Sequence, residues 1–431
     1  MNKKGRTGIS RRQFLKGATA VGAGVLGFPH VVPASALGAD GQVAPSNRVA
    51  MGFIGLGGRG TGGMRTFMGR KEAQAVAVCD VVTERREKAR NTAGLPPEAA
   101  YNDFRELLAR DDIDAVQIAT PDHWHALMSI AAAKAGKHIY CEKPLSNTIA
   151  EGRAIVDAVQ RYGVVFQHGT QLRSLRATRF ACELVRNGRI GRLHTITIGS
   201  PKGQATAVHP PEPVPEGMDW DLWLGPAPYA PYSRYRAPGT GWYFISDYSK
   251  AGWIAGFAVH DVDLAHWGMD TELTGPVEIE GRAVFPSDGL YDTALTFDIE
   301  FRYANGLKIV LTDTGKNPHG VRFEGTDGWV FTRHDIDAQP KSLLKEVIGT
   351  NEVRLYESSL HEQNFLDCIK TRAKTICPVE VAHRSTSAPL LGGIAVKLGR
   401  KLRWDPVAER FLGDPEADRL LSYAMRPPWH L

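Results

Sequence analysis

Cysteine is scarce in this chain of 431 residues: Cys79, Cys141, Cys182, Cys368 and Cys377 are odd in number and scattered. That excludes a disulfide framework, and the lack of CxxC or HExxH spacing removes the commonest metal-ligand patterns. Buried thiols are expected, with only Cys368 and Cys377 close enough in sequence to make a bridge worth testing. Long apolar runs are missing too. The Gly/Ala-rich stretch 17–28 falls short of the roughly 18 residues that span a bilayer, so no stable membrane anchor is expected. There is no internal repeat. Positive charge is also in short supply once it is located. The formal balance is +5, yet Lys3, Lys4, Arg6, Arg11, Arg12 and Lys16 lie in the first 36 residues, which hold no acid. Without those six the remainder carries about −1, which leaves nucleic-acid binding without electrostatic support.

What is present begins with Ser10-Arg11-Arg12-Gln13-Phe14-Leu15-Lys16, a weakly apolar run and then Ala34-Ser35-Ala36. Basic region, short apolar region and small-residue cleavage site form the order of an export signal, and the paired arginines resemble the twin-arginine type. Residues 1–36 are therefore expected to be a signal, with the product periplasmic or otherwise extracytoplasmic. That route carries folded proteins, so a cofactor can be acquired before export.

With 43% apolar residues the rest is long enough for two cored domains. Apolar runs at 49–54, 75–78, 115–119, 138–141 and 164–167 alternate with helical patterns such as 83–93, 123–135 and 149–161. Continuous apolar strands separated by helices predict a doubly wound parallel sheet covered on both faces. Past Gly191 the pattern changes to a long Pro/Gly/Trp-rich stretch from Pro201 to Gly252, of the kind that serves a site. Leu295, Phe297, Ile299 and Phe301 then alternate with polar residues before Asn305-Gly306 and a second alternating strand, predicting a hairpin. Helical segments at 359–370 and 386–398 follow. The fold class is thus α/β: a Rossmann domain over 47–170 and an α+β domain over 171–431 with an open, mostly antiparallel sheet.

The sharpest local motif is Gly55-Leu56-Gly57-Gly58-Arg59-Gly60, directly after the first strand. Gly55 suits the tight turn, Gly57 the close approach of a pyrophosphate, and Gly60 the packing of helix on strand. Asp80 ends the second strand twenty residues after Gly60, where a carboxylate accepts bonds from ribose hydroxyls and repels a 2′-phosphate. NAD is favoured over NADP on that ground. Arg59 argues the other way, because a guanidinium beside the ribose would hold the phosphate.

Thr120-Pro121-Asp122-His123-Trp124-His125 and Glu142-Lys143-Pro144 end two further strands, and ligands of such folds bind outside strand carboxyl ends. With the fingerprint and the two-domain layout, these segments resemble the Gfo/Idh/MocA (glucose-fructose oxidoreductase/inositol dehydrogenase) family. The resemblance covers essentially the whole chain after the signal. It implies an NAD(P)-dependent oxidoreductase acting on a sugar or polyol hydroxyl, with Thr120, Pro121, Trp124, Glu142 and Lys143 beside the cofactor. Lys143 would lie by the nicotinamide and the reacting hydroxyl. Its ammonium, next to a cationic ring, has its pKa pushed down toward the range useful for proton transfer.

His260-Asp261-Val262-Asp263 resembles the stretch that opens a substrate-domain helix in inositol dehydrogenase-like members. Those members often carry Asp four residues before the histidine, where this chain has Gly256. A Lys–Asp–His relay is thereby reduced to Lys143 and His260 as the catalytic pair, unless Asp261 or Asp263 supplies the carboxylate. Gln171 and Arg173 resemble a segment facing the substrate cleft, so Gln171, Arg173, Asp261 and Asp263 are the candidate substrate contacts. A metal reading of His260 and Asp263 is disfavoured, because His266 is rotated off their shared face. The aromatic-dense stretch around Trp220, Trp223, Tyr229, Tyr232, Tyr235, Trp242, Tyr243 and Trp253 suits the apolar faces of sugar rings, with core or subunit packing as the alternative for most of them. The polar hairpin face, Asp298, Glu300 and Arg302, is either solvated or pairs between subunits, since the family resemblance implies a dimer or tetramer through that sheet.

Export constrains the chemistry further, because no ready pool of NAD(H) exists outside the cytoplasm. Retention for hours needs an off-rate near 10⁻⁴ s⁻¹, hence a Kd of order 10⁻¹⁰ M at a typical on-rate of roughly 10⁶ M⁻¹s⁻¹. A tightly held cofactor recycled within each turnover is expected. A redox-neutral glycosidase or epimerase working through a transient keto-sugar is the alternative, although the glycosidase branch of the family replaces Glu-Lys-Pro, which this chain keeps. A non-catalytic NAD- or sugar-binding protein is the competing class.

Overall fold

Short apolar strands, each ended by a glycine or polar turn, build the first sheet. The computed structural model describes residues 43–44 and 47–431, so the expected signal lies outside the described residues. The strands are β1 (Val49–Ile54), β2 (Ala73–Cys79), β3 (Ala100–Tyr101), β4 (Ala115–Ile118), β5 (His138–Cys141) and β6 (Phe166–His168). They pair in the order β3-β2-β1-β4-β5-β6, all parallel. Sequence order reverses between β1 and β4, which opens a crevice at their carboxyl ends. Alternate residues of one strand enter two separate apolar clusters: Met51, Phe53 and Tyr140 in one, Ile54, Ile118 and Ile139 in the other. Both faces are therefore covered, which is why these strands read as continuous apolar runs. The helices Gly58–Met68, Thr83–Ala93, Asp122–Lys134 and Ile149–Tyr162 form the connections. Thr148 and Glu151 close a reciprocal capping box at the start of the last of these, and Ile155, Val156 and Val159 bury its apolar side.

The second sheet has nine strands in the order β13-β12-β11-β7-β10-β9-β8-β14-β15, all antiparallel except β7 against β10. Its members are β7 (Leu193–Ser200), β8 (Glu278–Val284), β9 (Thr296–Arg302), β10 (Lys308–Asp313), β11 (Gly320–Gly325), β12 (Trp329–Thr332), β13 (Ile336–Gln339), β14 (Leu402–Asp405) and β15 (Arg410–Phe411). The β9–β10 hairpin turns where the sequence places it, with Phe297, Ile299 and Phe301 buried and β9 packed against the helix Val379–Leu398. On its polar face Lys316 pairs with Asp298 at 2.7 Å and Lys308 with Glu300 at 3.7 Å within the same chain. The helix Val379–Leu398 starts seven residues before the expected Thr386. Along its first turns Glu380 bonds Arg384 and Arg153, while Val379, Val381 and Ala382 are buried. All five cysteines are free and buried, Cys368 and Cys377 included.

The stretch 201–252 is ordered around its own apolar cluster. Trp220, Trp223, Tyr232, Phe244 and Tyr248 pack inward there, while Tyr229 and Tyr235 are exposed. Packing is therefore the role of several of the aromatics, as the bland alternative holds.

Candidate functional site

A cavity of about 670 Å³ lies at the carboxyl ends of β1, β2, β4 and β5, within the range of small-molecule and cofactor sites. The fingerprint turn forms its floor. Gly55 has φ +82°, and a Cβ there would stand 2.6 Å from the Ala119 carbonyl oxygen, so both conformation and space demand glycine. A Cβ on Gly60 would collide with the Gly55 carbonyl, which is the close helix-on-turn packing expected of it. Gly57 is different. Its nearest neighbour beyond the local chain is an Arg85 Nη1 at 3.6 Å from the Cβ position, leaving the turn open toward the cavity. The helix Gly58–Met68 has no side-chain cap and no acid in its first turn, so its leading N–H groups are available to an anion.

Asp80 is buried at the end of β2. One carboxylate oxygen accepts from Leu56 N at 2.6 Å and the other from Val82 N at 2.8 Å. Burial raises its pKa, and these two bonds oppose that rise. Arg59 does not join it. Its Nε donates to Glu142 Oε1 at 2.6 Å, across the mouth of β5, so the guanidinium expected beside the ribose is committed elsewhere. Gln171 Nε2 donates to the same Glu142 oxygen at 3.2 Å and to the Tyr140 hydroxyl at 2.9 Å, which holds it one residue back from the cavity wall.

Lys143 lies at the inner end. Its Nζ donates to the Gly256 carbonyl at 2.7 Å and stands 5.0 Å from the Phe257 ring and 5.6 Å from that of Tyr243. Burial lowers its pKa, with Glu142 and Asp122 acting against that shift. Where the resemblance led to an aspartate side chain at 256, the backbone itself takes the ammonium. Tyr243 fills the space: a Cβ on Gly256 would meet its ring at 3.3 Å. Asp122 is a carboxylate the sequence reading passed over. It is buried, accepts from Ser249 Oγ at 2.8 Å, and burial pushes its pKa up to about 7. Its place at the start of a helix after Thr-Pro was the available signal.

His260 is half-buried, and its Nδ1 is enclosed without a partner. Burial, then the Lys143 and Arg333 charges, hold its pKa well below the usual histidine range, so the ring is neutral at pH 7. Thr120 Oγ1, Trp253 Nε1 and Asp122 Oδ1 are likewise buried and unpartnered; Thr120 and Trp253 line the cavity, and the Asp122 charge acts on Lys143. Orphaned polar atoms gathered at one end of a cavity fit a ligand that satisfies them. Pro121 and Trp124 complete that wall, Trp124 Nε1 donating to the Trp223 carbonyl at 3.0 Å.

Arg173 and Asp263, expected as substrate contacts, are paired with each other. Arg173 Nε and Nη2 donate to Asp263 Oδ2 and Oδ1 at 2.6 and 2.8 Å, Nη1 reaches Glu272 at 2.6 Å, and neither residue lines the cavity. Burial would raise the Asp263 pKa, but Arg173 outweighs it and holds it low. Asp263→Ala is expected to cost about 3–5 kcal/mol of stability in denaturant unfolding, because it strands a buried guanidinium. Asp261 is likewise tied down, by Arg333 Nη1 at 2.6 and 2.7 Å. Among the described residues no group of three or more His, Cys, Asp and Glu could hold a metal ion.

Comparison with known proteins places this geometry. Residues 49–170 match "Oxidoreductase family, NAD-binding Rossmann fold", residues 200–431 match "Oxidoreductase family, C-terminal alpha/beta domain", and residues 8–27 match a twin-arginine translocation signal. Myo-inositol 2-dehydrogenase of Thermotoga maritima is 25% identical over 80% of this chain and 95% of its own length. Alpha-N-acetylgalactosaminidase of Shewanella oneidensis is 34% identical over 203 residues, 43% of this chain. The chain spans less than half the length of that relative, 44%. The crystal structure of aldose-aldose oxidoreductase from Caulobacter crescentus, 18% identical, superposes with a TM-score of 0.63 over 83% of this chain and 99% of that one. Both domains of one family are matched in order along the chain, and the protein belongs to the Gfo/Idh/MocA oxidoreductase family.

Proposed function

We propose that the protein is an exported NAD-dependent oxidoreductase that transfers hydride from a CH–OH group of a sugar or polyol and keeps its cofactor through the cycle. The observation that carries this reading is Lys143: a half-buried ammonium at the inner end of the cavity, held by a backbone carbonyl and lowered in pKa. The fingerprint turn and the free helix N-terminus would hold the diphosphate, Asp80 the ribose hydroxyls, and Thr120, Pro121, Trp124 and Glu142 the nicotinamide half. Arg59, paired with Glu142, gives no support to a 2′-phosphate site. When bound, the nicotinamide supplies the hydride acceptor.

Lys143 takes the proton and His260 positions it. A neutral Lys143 amine accepts the proton of the substrate hydroxyl, and the neutral His260 ring, with its Nδ1 unpartnered, orients that hydroxyl. Gln171 and Asp261 hold Glu142 and Arg333 respectively, two charges that act on Lys143 in opposite directions. The dimer or tetramer expected through the second sheet belongs to the same reading, as does an extracytoplasmic location.

A second reading, redox-neutral glycosidase chemistry through a transient keto-sugar, is favoured by the likeness to the galactosaminidase. The retained Glu142-Lys143-Pro144 weighs against it.

The test mixes NAD-loaded protein with aldoses, inositols and an N-acetylgalactosaminide. Reduced-nicotinamide absorbance that appears with one sugar and clears with a second supports the closed oxidoreductase cycle. Aglycone release without net reduction transfers the assignment to the glycosidase. Silence with every compound, unchanged in Lys143→Ala, indicates a binding protein instead.

A further inference from the structure

The cavity has an outer wall contributed by the stretch 201–252. Gln204, Leu222, Trp223, Pro238, Thr240 and Trp242 line it along with the fingerprint turn. At its base this wall is fastened to the residues just after β2 and β3. Asp219 N donates to Val81 O at 2.9 Å, Thr83 N to Gly217 O at 2.8 Å, and Asn102 Nδ2 to Asp219 Oδ2 at 2.9 Å. Gly225 lies flat against the Trp124 ring, with no room there for a side chain. With its own aromatic core, the segment is a folded flap and not slack chain.

Its tip is held differently. Among the described residues, one hydrogen bond joins residues 234–241 to the first-sheet half: Arg85 Nη2 to the Pro238 carbonyl, 2.6 Å. The other guanidinium nitrogen, Nη1, is the atom 3.6 Å from the Gly57 Cβ position. One side chain therefore reaches from the point where a diphosphate approaches the backbone to the tip of the flap that overlies the cavity.

We infer that Arg85 gates the dinucleotide cleft: its bond to Pro238 closes the flap tip over the fingerprint turn, and cofactor enters or leaves when that bond opens. The inference rests on the cofactor reading above. Several bonds join the base of the flap to the first-sheet half, whereas one exposed bond joins its tip there, so that tie is the one that opens first, while the Tyr291 hydroxyl on Tyr235 O holds the tip to the second-sheet half. Such a device slows cofactor loss from an exported enzyme without requiring further contacts to the nucleotide.

A gate and a contact differ kinetically. Removing a contact speeds release and weakens affinity in proportion, while removing a gate speeds entry and release together and leaves Kd nearly unchanged. The probe is NADH, followed by its fluorescence in stopped flow with wild type, Arg85→Ala and Arg85→Lys. Expected for Arg85→Ala are kon and koff both faster by about 10-fold or more, with Kd within about threefold. Arg85→Lys, which keeps a donor for Pro238 O, falls between, and carries the test should the alanine variant not fold. Unchanged rates overturn the gate. So does a faster koff with kon unchanged, which makes Arg85 a contact alone. A wild-type protein that binds no NADH defeats the cofactor reading itself, an outcome distinct from wild-type binding with unaltered variant rates.

Discussion

Lys143→Ala is expected to lower kcat for sugar oxidation by about 10²–10⁴-fold, the usual contribution of a positioned acid–base group, while cofactor affinity changes little. The amine is placed by a single carbonyl, Gly256 O, and two aromatic rings, so its removal leaves the diphosphate and ribose contacts intact. The pH dependence carries the sign. Burial lowers the Lys143 pKa, so the neutral, proton-accepting amine gains population as pH rises, with a midpoint below the usual 10.5. His260 is held neutral far below pH 7 and contributes no limb in the physiological range. Above the Asp122 ionisation near pH 7, the oxidation rate should therefore rise along one Lys143 limb in wild type. In Lys143→Ala the residual rate should lose that limb. A variant that keeps wild-type kcat, or the same pH profile, removes Lys143 from the chemistry.

Gly57→Asp should weaken dinucleotide binding sharply in a protein that still folds. Its Cβ would meet nothing closer than Arg85 Nη1 at 3.6 Å, so the apo fold tolerates a side chain there. A carboxylate would then occupy the place of the diphosphate and oppose it by charge as well as bulk. A loss of about 10²–10³ in NADH affinity, roughly 2.7–4 kcal/mol, is expected. Gly55→Ala makes the contrasting case. At φ +82°, with a backbone carbonyl 2.6 Å from the added carbon, it should lower Tm before any cofactor is considered. Melting curves and NADH titrations on the two variants separate loss of fold from loss of site. Equal NADH affinity in Gly57→Asp and wild type would put the diphosphate elsewhere.

The features read correctly from sequence are those in which a short segment determines its own conformation. The fingerprint turn, the helix Thr83–Ala93 and the β9–β10 hairpin depend on local spacing, and the structure has them in place. β3 was not legible, because two residues at a sheet edge carry no periodicity. Side-chain partners separated far along the chain were the harder part. Arg59 finds Glu142 across 83 residues, and Arg173 finds Asp263 across 90, and neither pairing leaves a mark in local pattern. Each was read by what its neighbourhood in sequence suggested, ribose for Arg59 and substrate for Arg173. The absent aspartate at 256 was visible as an absence, but its consequence was not. Only the fold brings Tyr243 into that space and turns the Gly256 carbonyl toward Lys143. The flap's tie to Arg85 spans 153 residues and was equally hidden.

The central claim is that a dinucleotide lies against the turn at Gly55–Gly60 with its nicotinamide half at Lys143. The most direct measurement is the nucleotide released when the exported, purified protein is denatured, identified by mass and spectrum. The account predicts a stoichiometric yield of NAD(H). A folded preparation that releases none, and takes up none when NADH is added, contradicts it.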